Sequence, residues 1–129
     1  MKDVTILVAG GRDFCDYEYM ERELDKLLRK YVEDGCKIKI IEGEAEGAEK
    51  LAKIYGTTHN FEILPFSSRW DVYKFEALYV RNSEMLHALT DNEDDKLAAL
   101  FWDGKSDGTF NILKMLRQYD SILLNVFKY

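Results

Sequence analysis

Residues 4–9, Val4-Thr5-Ile6-Leu7-Val8-Ala9, are apolar or β-branched almost without a break, and two glycines follow at once. Such a run, lacking the alternation of a sheet with one wet face, predicts a strand buried on both sides. The period then changes. Met20, Leu24, Leu27, Leu28 and Tyr31 recur three and four apart, Asp16 stands ahead of them as a cap, Glu18 and Glu21 come early, and Lys26, Arg29 and Lys30 come late. Acid first and base last is the order a helix dipole favours, so this segment predicts a helix, ended by Gly35. Residues 37–41 predict a second strand. Ala48, Leu51, Ala52 and Tyr55 form the stripe of a shorter helix closed by Gly56, and residues 61–64 predict a third strand. Residues 75–89, with Phe75, Leu78, Met85, Leu86 and Leu89 inward, predict a helix before a fourth strand at 97–102. Phe110, Leu113, Leu116 and Tyr119 mark a last helix and residues 122–127 a last strand.

Strand and helix alternate throughout, which predicts an α/β, three-layer Rossmann-like architecture: a parallel sheet with helices on both faces and right-handed crossovers. No linker, fixed repeat or shift in composition divides the 129 residues, so one domain over 1–129 is expected. No apolar stretch approaches the roughly 18–20 residues of a membrane span, and the first run is too short for a signal peptide. A soluble, cytoplasmic protein is expected.

Eighteen lysines and arginines stand against 24 aspartates and glutamates, a net charge of −6. That field repels a phosphate backbone over most of the surface and makes nucleic acid an unfavoured partner, while leaving room for a local basic cleft. Cys15 and Cys36 lack CxxC spacing, and His59 and His87 form no ligand pair, so no disulfide framework, metal or resident cofactor is expected. Cys15 lies beside Arg12 near a helix start, surroundings that favour a thiolate, although a free cysteine is more often a small buried hydrophobe. The acidic run Asp91-Asn92-Glu93-Asp94-Asp95 has Lys96 where a calcium loop needs glycine, and reads as a solvated turn.

The glycines carry the strongest pointer to chemistry. Gly35 and Gly56 follow helices, where left-handed caps explain them. Gly10 with Gly11, Gly43 with Gly47, and Gly104 with Gly108 instead fall between a strand end and a helix start. In a parallel sheet those three loops meet outside the carboxyl edge, where ligands bind at the reversal of strand order. Without a Cβ the chain can bring amides close to a phosphate, and a helix N-terminus adds partial positive charge. Arg12 offers a fork for phosphate, and Asp13 a carboxylate to hold a ribose or orient the arginine. Lys105, Ser106 and Thr109 complete the composition of an anion nest, although Ser106 or Asp107 as a plain N-cap explains part of it. Glu42, Glu44, Glu46 and Glu49 make the middle loop acidic, so their carboxylates must face ribose hydroxyls, a cation or water. One of Arg81 and Asn82, within an apolar helix, is expected to point at the pocket; the alternative puts Arg81 on the solvent face. Trp70 and Tyr73 either wall a base or cover the sheet edge.

The ordered set Gly10-Gly11-Arg12-Asp13-Phe14, Gly43 to Ala52, Trp70 with Tyr73, Arg81-Asn82 with Met85, and the loop from Gly104 to Thr109 resembles the SLOG superfamily. It is most similar to its small YspA/YpsA-related (DUF2493) single-domain members from bacteria and phages. The resemblance implies a Rossmann-like domain whose glycine loops bind or sense a nucleotide-derived small molecule, of the ADP-ribose, NAD-derived or cyclic nucleotide type, and it favours a homodimer. Relatives of the LOG branch cleave nucleoside monophosphates using an arginine, matched by Arg81, and a glutamate three residues past a Gly-Thr pair. Gly108-Thr109 matches the pair, but the glutamate position is Ile112, which cannot steady an oxocarbenium-like sugar or activate water. Glu46 or Glu49 could substitute. Other departures are Glu42 where histidine or serine is frequent, Glu46 and Glu49 for aspartates, and Lys74 where glycine is common. Binding is thus the favoured function; alternatives are phosphoribohydrolase activity and, through Arg12, Arg69 and Lys105, single-stranded nucleic-acid binding of the DprA type.

Overall fold

The structure is a computed structural model that describes residues 2–129. Strand β1 (Val4–Gly10) is buried along almost its whole length because it lies at the centre of a five-stranded sheet. Around it stand β2 (Ile38–Glu42), β3 (Glu62–Pro65), β4 (Asp95–Trp102) and β5 (Ile122–Lys128), in the order β3-β2-β1-β4-β5, every pairing parallel. The uninterrupted apolar run meets its requirement here, with helices over both faces.

Alternate residues of β1 serve the two layers. Val4, Ile6 and Val8 join Met20, Leu24 and Leu28 of α1 (Tyr17–Glu33) and Ala48, Ala52 and Tyr55 of α2 (Ala48–Thr58). Leu7 and Ala9 join Met85, Leu86 and Leu89 of α4 (Ala77–Thr90) and Ile112, Leu113 and Leu116 of α5 (Asp107–Leu116) on the other face. This is the three-layer α/β arrangement that the alternation predicts. Asp16 caps α1, its Oδ1 accepting from Tyr19 N at 3.1 Å, and Gly35 takes the expected left-handed backbone at φ +72°.

Four expectations are corrected. Gly56 is no cap: α2 runs on to Thr58, the positive φ falls on Asn60, and a Cβ at Gly56 would overlap Ile63 Cδ1, so its smallness lets helix and sheet pack closely. The helix expected from Phe75 begins at Ala77, after α3 (Trp70–Tyr73) and a single 3₁₀ turn at Lys74–Glu76, which leaves Phe75 90% exposed. Tyr119 lies beyond α5, while Phe110 is partly exposed and stacks on Trp102 at 5.7 Å between centroids. The run from Asp91 to Asp95 is a solvated bend only in part, with Asp91 and Glu93 exposed but Asp94 and Asp95 half-buried. It leads into β4, so its carboxylates meet polar groups of the neighbouring elements: Asp94 Oδ2 accepts from Thr5 Oγ1 at 2.9 Å and Lys39 Nζ at 3.4 Å, and Asp95 Oδ2 from Tyr31 OH at 2.8 Å. Among the described residues no helix is long and apolar enough to cross a membrane.

Candidate functional site

Strand order reverses between β1 and β4, and the chain leaves their carboxyl ends toward opposite faces, which opens a crevice at that edge. A cavity of about 330 Å³ lies there. Gly10, Gly11, Arg12 and Asp13 come to it from the β1–α1 loop, Ala45 and Glu49 from β2–α2, and Asp103, Ser106, Gly108 and Thr109 from β4–α5; α4 adds Leu78 and Asn82. The three glycine loops therefore converge as the sequence leads one to expect.

Their glycines serve loop packing. Gly47 holds φ +82°, and a Cβ on it would overlap the carbonyl oxygen of Gly11, to which Ala48 N donates at 3.1 Å. One at Gly10 would overlap Phe101 O. Gly11 N is itself committed to Phe101 O at 3.0 Å, so that amide is not offered to the crevice. In the third loop Asp103 Oδ1 accepts from Lys105 N and Ser106 N, both at 2.8 Å, and from Ser106 Oγ at 3.0 Å. Those amides hold the Asp103 carboxyl below its ordinary range. Ser106 occupies the N-cap position of α5 without capping it, because its hydroxyl is turned to Asp103. The first turn of α5, whose amides have no intrahelical partner, is thus without a side-chain cap, and its Gly108 and Thr109 line the cavity. Gly104, at φ +86°, and the exposed Lys105 do not line it.

Of the pair Arg81 and Asn82, one lines the cavity as expected, and Arg81 is not that one; nor does it take the solvent face. The side chain is sealed, and its Nη1 donates to Gly43 O at 2.8 Å and to Glu49 Oε1 at 2.9 Å, with Nε donating to Asn82 Oδ1 at 3.3 Å. A Cβ on Gly43 would overlap that guanidinium, so the glycine makes its room. A buried guanidinium must have a counter-charge, and Glu49, 32 residues away in sequence, supplies it. Asn82 is the member of the pair that reaches the cavity, where its Nδ2 donates to Gly108 O at 3.3 Å and Asn111 Oδ1 at 3.0 Å and ties α4 to α5.

Glu49 also lines the cavity while buried to 3% exposure; burial pushes its carboxyl up from the ordinary value, with Arg81 pulling against it. Arg12 is exposed, lies close enough to Glu49 to help hold its charge, and has no hydrogen-bond or ion-pair partner among the described residues. Asp13 Oδ1 accepts from Tyr129 OH at 2.6 Å, and Ile112, at the position of the LOG branch's glutamate, forms apolar wall.

A second cavity of about 380 Å³ adjoins the first and shares Arg12 and Ala45 with it. Glu44, Glu46 and Trp70 belong to this one: Glu44 Oε1 accepts from Ser67 Oγ at 2.8 Å, Glu46 pairs with Lys50 at 3.5 Å, and Trp70 is half exposed. Glu42, expected with the acidic loop, closes β2 instead. It is fully buried at the end of β2, its Oε2 accepts from Glu44 N at 2.7 Å, Oε1 has no partner, and burial raises its pKa. The signal for that burial was an acid closing an apolar strand. No group of metal-ligating side chains occurs among the described residues, and Cys15 is exposed rather than buried.

The arrangement offers an anion-accepting end, from the α5 amides and Arg12, beside hydrogen-bond acceptors and an apolar wall. A family model described as YspA, cpYpsA-related SLOG family (YAcAr) matches residues 4–73, more than half of the chain and including the first two glycine loops. No curated protein matches the chain, and neither does any solved structure.

Proposed function

Because the chain belongs to the YspA, cpYpsA-related SLOG family, we propose that it binds or senses a phosphate-bearing, nucleotide-derived small molecule in the crevice between β1 and β4. One observation carries this reading: the uncapped first turn of α5 and Arg12, whose guanidinium has no partner among the described residues, line the same cavity. Orphan amides at a helix start favour an anion, and a flexible, partnerless arginine supplies the charge. The cavity lies at the lower end of the usual range for small-molecule sites, and the adjoining one, with Trp70 at its side, gives a base or second head somewhere to go.

The test is a thermal-shift panel of ADP-ribose, NAD, cyclic nucleotides and nucleoside monophosphates. A ligand at a hundred times its dissociation constant adds about 2.7 kcal/mol of stability and moves the melting point by several degrees. Arg12→Ala should remove most of that shift without lowering the unliganded midpoint. Silence across the panel at millimolar concentration overturns the reading.

A hydrolytic role has one observation in its favour, the Glu49 carboxyl, raised by burial, at the cavity. Release of free base from nucleoside monophosphates, read by chromatography, would establish it; intact nucleotide after prolonged incubation leaves binding as the function.

A further inference from the structure

Glu49 uses only half of its carboxylate within the protein. Both of its hydrogen bonds fall on Oε1, from Arg81 Nη1 at 2.9 Å and Ala45 N at 3.2 Å. Among the described residues Oε2 has no protein partner, yet it is not sealed away: the sealed, partnerless side-chain atom among them is Glu42 Oε1. Since Glu49 lines the cavity, Oε2 keeps its lone pairs for whatever enters.

An isolated carboxylate here would repel the phosphate that the α5 amides attract. Arg81 removes that conflict. Held by Gly43 O and Asn82 Oδ1 as well as by Glu49, the guanidinium cannot swing toward a ligand, and it neutralises the carboxylate in place. What remains at the cavity is a fixed hydrogen-bond acceptor with little net charge. Its match is a ligand hydroxyl close to a phosphate. The other polar groups nearby are less free: Asn82 has both ends of its amide engaged, and Asp13 already accepts from Tyr129.

We propose that Glu49 determines the specificity of this crevice, its Oε2 accepting a ribose hydroxyl, so that the site takes ribose phosphates in preference to their deoxyribose counterparts and to inorganic phosphate. Arg81 is the positioning residue that fixes Oε1 and leaves Oε2 to the sugar. This rests on the nucleotide-binding reading and narrows it to the sugar.

The test is calorimetric titration of the full chain with ADP-ribose and adenosine 5′-monophosphate, with the 2′-deoxy and 3′-deoxy forms of the monophosphate, and with inorganic phosphate. A hydrogen bond to a charged acceptor predicts a loss of about ten- to a hundredfold for at least one deoxy form. Glu49→Gln should weaken the ribonucleotide while scarcely changing the deoxy form, bringing their ratio near one. Arg81→Lys, by releasing Oε1, should lower the same ratio, which a loss of stability alone does not do. Should either variant fail to fold, the wild-type comparison decides, since there the hydroxyl is removed from the ligand. Equal affinity for the ribo and deoxy forms, or an unchanged ratio in a folded Glu49→Gln, overturns the sugar proposal and leaves nucleotide binding standing. Absence of binding by ADP-ribose and the monophosphate alike overturns both.

Discussion

At Glu42 a carboxyl sits wholly inside the protein with one oxygen unpartnered. Burial raises its folded pKa above the ordinary 4.5, so between that value and the folded one the native state holds more protons than the unfolded state. Stability must therefore fall as pH rises through that window, and the full penalty is present above it. Glu42→Gln should flatten this slope, as read from urea midpoints between about pH 4 and about pH 8; an unaltered slope would place the titration elsewhere. Arg81 makes the opposite case. Removing it as Arg81→Met strands the Glu49 charge and should cost about 3–5 kcal/mol in denaturant unfolding, whereas Arg81→Met combined with Glu49→Leu should recover most of that loss. The sequence places Arg81 in an apolar helix and so signals that it needs company. It does not say that the company is Glu49, because that contact joins α4 to α2 across the strand edge.

Among the elements, the stretch ahead of α4 departs furthest from its pattern. Apolar spacing extends the helix back to Phe75, but the backbone breaks at Lys74, which holds φ +53° and ψ −124°. A side chain is strained there by about 1–3 kcal/mol, while glycine adopts the conformation freely. Lys74→Gly should therefore raise stability by about 1 kcal/mol, net of glycine's greater unfolded entropy, with the melting point moving up a few degrees. The resemblance already marks position 74 as one where glycine is common; only the dihedral angles give the reason. Phe75, exposed as a result, should tolerate Phe75→Ser within about 0.5 kcal/mol.

For the molecule as a whole, charge and topology pull toward a small ligand and away from a polymer. A net charge of −6 opposes a polyanion, and Lys105, one of the three residues of the supposed basic strip, lies outside both cavities. Fluorescence anisotropy with a labelled single-stranded oligonucleotide should stay flat at roughly physiological salt; binding that falls steeply with added salt would reverse this.

What the sequence determined alone was the succession of elements, the parallel α/β layering and the gathering of three glycine loops at one edge, because these follow from local periodicity, turn chemistry and the handedness of crossovers. Tertiary structure alone decided which polar groups are free there. Gly11 N, Arg81 and one oxygen of Glu49 are all satisfied within the protein, while Arg12 and the other Glu49 oxygen have no partner among the described residues and the first turn of α5 has no side-chain cap. The physical reason is that a polar group's environment is set by whatever packs against it, and Gly11 meets Phe101, and Glu49 meets Arg81, only once the sheet has formed.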